Sequence, residues 1–179
     1  MDELVDITDE NSNETGVVKK KSLVHRDGDW HKGIHVWIVK DDKILLQKRA
    51  PGKKLFPNKL DVSCAGHVMH GESCEDTAVR ELEEELGISV KPSDLLLVEK
   101  RKQISFGKEM RSREINAIFL LFMKSDLKDL KLQKSEVSEV KLFAPDELRQ
   151  LFKNKPQLFV DDKKYLSEMI DKIEGIMKK

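Results

Sequence analysis

Four glutamates lie close together in the stretch Arg80-Glu81-Leu82-Glu83-Glu84-Glu85-Leu86. On a helix, Glu81, Glu84 and Glu85 are related by i, i+3 and i+4, so their carboxylates share one face while Leu82 and Leu86 turn toward a core. Like charges on one face repel, and a divalent cation set among them relieves that cost. Magnesium suits such a place because it takes carboxylate oxygens, waters and substrate phosphates. Arg80 stands where it can clamp one carboxylate in a bidentate pair and fix its orientation. The residues from Ala65 to Glu72 are small and polar, and they let the backbone pass close to a metal and its phosphates. A glutamate run taken alone is more often a solvated helix face than a site, so the flanks must decide.

The elements that position these groups follow from periodicity. Ala78, Val79, Leu82 and Leu86 recur at helical spacing from Ser73 onward, Glu75 and Asp76 suit the first turn, and Gly87 is a C-terminal stop. Gly33 to Val39 and Ile44 to Lys48 read as strands joined by the polar run Lys40 to Lys43, and Leu60 to Val68 as one further strand. Leu95 to Phe106 and Glu114 to Met123 form a hairpin pattern about a turn containing Gly107. Val140 to Phe143 is a last strand, Pro145 opens a helix running to Phe152, and Lys163 to Met177 is a helix with Tyr165, Leu166, Met169, Ile170 and Ile173 on one face. Leu4, Val5 and Ile7 suggest a short strand ahead of a turn-prone stretch. The fold class is α/β, a mixed sheet with helices packed on it.

A chain of 179 residues is long enough for one domain with a sizeable core. Its 33 basic and 33 acidic side chains cancel, so no overall field draws it to nucleic acid or to an anionic membrane. Any attraction for phosphate must be local. Cys64 and Cys74 have neither a metal nor a disulfide-framework spacing, no apolar leader opens the chain, and no span-length apolar run occurs, which makes the cytoplasm the expected location.

The segment Gly66 to Ile88 resembles the Nudix box, Gly-x5-Glu-x7-Arg-Glu-U-x-Glu-Glu-x-Gly-U with U aliphatic, at every fixed position: Gly66, Glu72, Arg80, Glu81, Leu82, Glu84, Glu85, Gly87 and Ile88. The resemblance implies a Nudix fold, a three-layer α/β/α sandwich, over residues 30–179, with residues 1–29 as an N-terminal extension packed on the domain. It implies that Glu81, Glu84 and Glu85 ligate magnesium, or manganese in its place, that Glu72 supports the cluster and that Arg80 orients it. The implied reaction is attack of water on a phosphorus of a nucleoside diphosphate linked to another moiety, with Glu81 as first candidate for the base and Glu114 as second. The expected partner is a small-molecule diphosphate. A homodimer is compatible with the sequence, since symmetric pairs are common.

From Leu23 to Phe122 the chain is also similar to type I isopentenyl-diphosphate isomerases, which use the same fold. That likeness matches His25, His31, His67 and Glu114 to a metal site, and Arg49 and Lys53 to diphosphate-binding residues. Three departures favour hydrolysis over isomerisation. The isomerase places a cysteine immediately before the first glycine of the box, where this chain has Ala65; its second metal-binding glutamate falls on Ser112; and its box is degenerate, whereas this one is whole. Cys64 is one residue early, and in a strand that turns its side chain to the opposite face. His35, His70 and Cys74 read as structural or surface residues, and Trp30 and Trp37 as core.

Overall fold

Residues 2–106 and 111–178 are described by the computed structural model. The spine of the sheet is β3 (Trp30–Lys40), buried at nearly every position because both of its faces are covered. Along one edge it pairs in parallel with β8 (Arg111–Phe122), from Trp30 opposite Arg113 to Val39 opposite Phe122. Its other edge is shared by three antiparallel strands in succession: β1 (Leu4–Thr8), β6 (Cys64–His67) and β4 (Lys43–Arg49). Outside these lie β2 (Glu14–Lys20) on β1, β7 (Leu96–Phe106) on β8, and both β5 (Leu60–Asp61) and β9 (Val137–Phe143) on β4. Asp41 and Asp42, both at positive φ, make the tight turn between β3 and β4.

Alternation along the strands divides the core into two layers. Ile34, Val36, Ile38, Leu45 and Phe119 pack with Ala78, Leu82 and Leu86 of the box segment, whose first part is helix α2 (Cys74–Glu81). On the other face Trp37, Leu46, Ile118 and Leu120 pack against α3 (Pro145–Asn154) and α4 (Lys163–Met177) through Leu148, Phe152, Leu166, Met169 and Ile170. The result is a three-layer α/β/α sandwich on a mixed sheet. The short helix α1 (Lys21–Asp27) anchors to β1 by Val24, which is buried with Val5 and Ile7. No helix among the described residues is long and apolar enough to cross a membrane.

Several elements differ from expectation for identifiable reasons. Residues 17–29 show no sequence period, because β2 is an exposed edge strand and α1 has one buried residue and no side-chain cap. The run from Leu60 to Val68 is two strands, interrupted where β3 exchanges β6 for β4 as its neighbour. At that break Ser63 Oγ accepts from Ile38 N at 2.8 Å and donates to Leu45 O, substituting for ladder bonds. Trp37 is fully buried as expected, but Trp30 is only partly covered and lies beneath the Lys102 ammonium. The β7 and β8 strands form the expected antiparallel pair, while the Gly107 turn lies outside the described residues.

Because Ser63 is fully buried and satisfies two backbone groups at once, Ser63→Ala is expected to lower stability by about 1–3 kcal/mol. Denaturant unfolding would register this as a lower midpoint with unchanged slope.

Candidate active site

Helix α2 begins at Ser73, whose Oγ accepts from Asp76 N at 3.0 Å, and Thr77 Oγ1 donates to Glu72 at 2.7 Å. After Glu81 the helix widens into one π turn, Leu82–Leu86, which Gly87 ends at φ 69°. The common face expected from i, i+3 and i+4 spacing is therefore split. A wider turn rotates Glu84 outward, leaving its side chain 53% exposed, and Glu85 inward, where the residue is 7% exposed. Glu81 lies between them with 15% side-chain exposure.

Arg80 gathers the carboxylates. Its Nε and Nη2 donate to both oxygens of Glu72 at 2.9 and 3.1 Å, and its Nη1 donates to Glu81 at 2.8 Å and to Glu84 at 3.3 Å. The clamp foreseen from sequence thus falls bidentately on Glu72, with the other two glutamates on the remaining nitrogen. Gly66 is required by closeness: a Cβ there would sit 2.4 Å from Glu81 Oε1. Burial raises the Glu81 carboxyl above its usual value against the opposing pull of Arg80. Burial, with the Glu81 charge beside it, pushes Glu85 up to about 8. Glu72 is instead lowered, because its bonds to Arg80 and Thr77 outweigh its burial. Two carboxylates destabilised by burial and mutual repulsion are what a hard divalent cation would relieve, so the donor set fits magnesium.

A second cluster lies across β6. His25 from α1, His31 from β3, His67 from β6 and Glu114 from β8 each offer one ligand atom, and these four atoms lie within 4.8 Å of one another. His25 Nε2 stands 3.2 Å from His67 Nε2, which is 3.6 Å from Glu114 Oε1. His31 is fully buried, with Nδ1 3.0 Å from Asp29 O and Nε2 without a hydrogen-bond partner among the described residues. A carbonyl on Nδ1 fixes that nitrogen as the donor and turns the Nε2 lone pair into the cluster, as in metal-bound histidines. Burial lowers His31 and takes His25 down to about 4, helped by the neighbouring histidines, so both rings are neutral at pH 7. Burial opposes ionisation of Glu114, yet its histidine neighbours hold it well below the usual carboxylate range. Ser112, where the isomerase likeness expected a second glutamate, donates a hydrogen bond to Glu114.

Arg49 and Lys53 are already engaged. Arg49 Nη1 donates to Asp61 at 2.9 Å, its Nε and Nη2 bond Leu55 O, and Lys53 is paired with Glu136. The alternation of β6 is regular: Cys64 packs with Ala78 and Leu82 on the α2 side, where burial and the Glu85 charge raise its thiol well above the ordinary value. Ala65 packs on the other side, in the layer that holds Trp37 and Tyr165. Of the residues read as structural or surface, His35 is buried against Tyr165 and His70 is exposed beside Asp6. Gln47, Gln103, Asn116 and Asp161 were not singled out from sequence. Asn116 was legible, two residues beyond Glu114 on the same face of β8, but Asp161 stands in a turn before α4 that carries no periodic signal.

Two outcomes are expected. Gly66→Ala displaces Glu81, and should cut activity at least tenfold while leaving the far-ultraviolet spectrum unchanged. For the metal-free chain, the raised Glu85 retains its proton in the fold, so its contribution to stability is present below 4.5 and lost as pH rises toward about 8. His25 acts oppositely, its contribution being lost as pH falls from 6.5 to about 4, so it does not enter between 6.5 and 8. Magnesium should therefore raise the melting temperature more at pH 8 than at pH 6.5, and Glu85→Gln should remove that difference.

A profile of the NUDIX domain matches residues 29–167. The chain is 38% identical over 159 residues to an uncharacterised Nudix hydrolase of Clostridium acetobutylicum, covering 86% of this chain and 76% of that protein. It is 34% identical over 166 residues to Nudix hydrolase 3 of Arabidopsis thaliana, covering 89% of this chain but spanning only 21% of the length of that protein. An isopentenyl-diphosphate Delta-isomerase of Dinoroseobacter shibae is 31% identical over 157 residues, with 87% of this chain and 88% of the isomerase covered. Among solved structures, a Deinococcus radiodurans protein superposes with a TM-score of 0.65 at 21% identity, covering 94% of this chain and 98% of the other. With the box intact on its helix and the three-layer sheet around it, the chain belongs to the Nudix domain family.

Proposed function

We propose that this protein hydrolyses the diphosphate linkage of a nucleoside diphosphate joined to another moiety, with magnesium, or manganese in its place, at the box carboxylates. Glu81, Glu84 and Glu85 would hold the ion, and Glu72 would fix Arg80, which in turn orients Glu81 and Glu84. Bound magnesium would neutralise charge on the phosphoryl oxygens and acidify the attacking water. Water adds to one phosphorus as the bridging P–O bond breaks, giving two phosphorylated products. Glu81 is the leading candidate to take the water proton, since burial already raises its affinity for one, and Glu114 is the second. Arg49 and Lys53 would meet the diphosphate once their carboxylate partners yield. The expected setting is the cytoplasm.

The observation that carries hydrolysis over isomerisation is the direction of Cys64. Its thiol is fully buried on the α2 side, away from the face that bears the histidines, and Ala65 supplies no acid on that face. A specific observation still supports the second reading: His25, His31, His67 and Glu114 assemble as a ligand set, and isomerases are among the relatives.

A panel of nucleotide-linked diphosphates, incubated with magnesium and read by product mass, tests the proposal. Wild type should release two phosphorylated products from at least one of them, and Glu84→Gln should be slower by on the order of 100-fold. Absence of release from the whole panel, or isopentenyl diphosphate isomerised in a Cys64-dependent manner, would replace hydrolysis by the second reading.

A further inference from the structure

The face of the sheet that bears the histidine cluster continues into a buried polar row. Asn116 Nδ2 donates to Gln103 Oε1 at 3.1 Å, and Gln103 Nε2 donates to Asp161 Oδ1 at 2.6 Å. Asn116 is 1% exposed and Asp161 9%. The direction of this row is set at its far end. Burial raises the Asp161 carboxyl to about 6, which leaves it ionised at neutral pH and able only to accept. Gln103 must therefore turn its NH2 toward Asp161 and its oxygen toward Asn116. Asn116 in turn must donate to Gln103, and its own oxygen is left pointing the other way.

That oxygen lies over Gly33, on the strand that neighbours β8. A Cβ on Gly33 would have as its three nearest heavy atoms Asn116 Oδ1 at 2.2 Å, Glu114 Oε2 at 3.3 Å and Gly66 O at 3.3 Å. All three are acceptors, and Asn116 Oδ1 and Asp161 Oδ2 have no partner among the described residues. A buried acceptor left without a donor weakens binding by roughly five- to 150-fold unless a ligand satisfies it. Gly66 opens the box, and His67 and Glu114 beside it keep about a fifth of their side chains exposed, so the row begins next to solvent, while Asn116 Oδ1 itself is buried.

We infer that Asn116, oriented through Gln103 by Asp161, is a specificity-determining residue that accepts a hydrogen bond from a hydroxyl or amino group on the moiety attached to the diphosphate. The inference rests on the diphosphate site proposed above and narrows its substrate class to moieties rich in hydrogen-bond donors. A hydrocarbon moiety set in the same place would leave Asn116 Oδ1 without a donor. Asp161 and Gln103 are positioning residues, since they act through the Asn116 amide.

The test uses two ligands with the same nucleotide, ADP-ribose and the pentyl ester of ADP, and reads thermal stabilisation of the magnesium-loaded protein as well as turnover. Wild type should bind ADP-ribose at least tenfold more tightly. Asn116→Leu should remove most of that preference by weakening ADP-ribose alone, and Gly33→Ala, which pushes the Asn116 oxygen aside, should do the same should Asn116→Leu fold poorly. Equal response of wild type to the two ligands, including none, overturns the inference, as does a preference that survives both variants. Hydrolysis of any diphosphate alongside equal responses would remove this inference and leave the hydrolase reading standing. Preferential binding without any hydrolysis in the panel would do the reverse.

Discussion

The constraint on which the site depends is that three carboxylates are held within reach of one guanidinium and a fourth lies beyond it, while two of the four are withdrawn from water. Arg80 neutralises part of this charge, binding Glu72 through two nitrogens and Glu81 and Glu84 through the third. It cannot reach Glu85, which the π turn directs inward beside Cys64 and Gln47. Among the described residues one carboxylate is thus left without a cationic partner, in the place where burial makes its charge costly. An arrangement of that kind is poor for the stability of the metal-free chain and favourable for taking up a divalent ion, because the ion supplies the missing charge.

The sheet makes this arrangement possible by letting β3 serve four neighbours. Because β1, β6 and β4 share one of its edges, β6 needs only four residues, Cys64–His67, and both of its faces are put to use. Gly66 gives up its side chain so that Glu81 can approach, while His67, one residue on, faces the other layer with His31 and Glu114. The parallel register of β3 with β8 sets His31 opposite Glu114 and Gly33 opposite Asn116, so the histidine cluster and the polar row follow from one strand pairing.

The sequence was most informative where local chemistry and packing agree. The box helix, its start at Ser73 and its stop at Gly87 were legible because each is decided within a few residues, and α4 because its apolar face is long. Spacing could not disclose the π turn: helical period assigns Glu84 and Glu85 to the same face, and only packing of Leu82 and Leu86 beneath the sheet separates them. The helix that carries His25 was illegible because one buried residue makes no period. Arg49 and Lys53 were legible as basic loop residues, but not their pairing with Asp61 and Glu136, which is tertiary. Asp161 was hidden for the same reason, its partner Gln103 being 58 residues away.

The alternation of β6 also bears on how two chemistries share this fold. Moving a cysteine by one position along a strand changes its layer and therefore its neighbours, with little effect on composition or hydropathy. At position 64 the thiol is sealed among Ala78, Leu82 and Leu86, and the charge of Glu85 further disfavours its thiolate. At position 65 it would share a face with His67 and with the acceptors around Gly33. The difference between a proton donor to carbon and an inert core residue is thus one step of a period-two pattern. On the hydrolase reading proposed above, a chain that keeps the full set of box carboxylates while taking that step would retain the means to polarise a diphosphate and would lack, on the histidine face, the thiol that isomerisation would require.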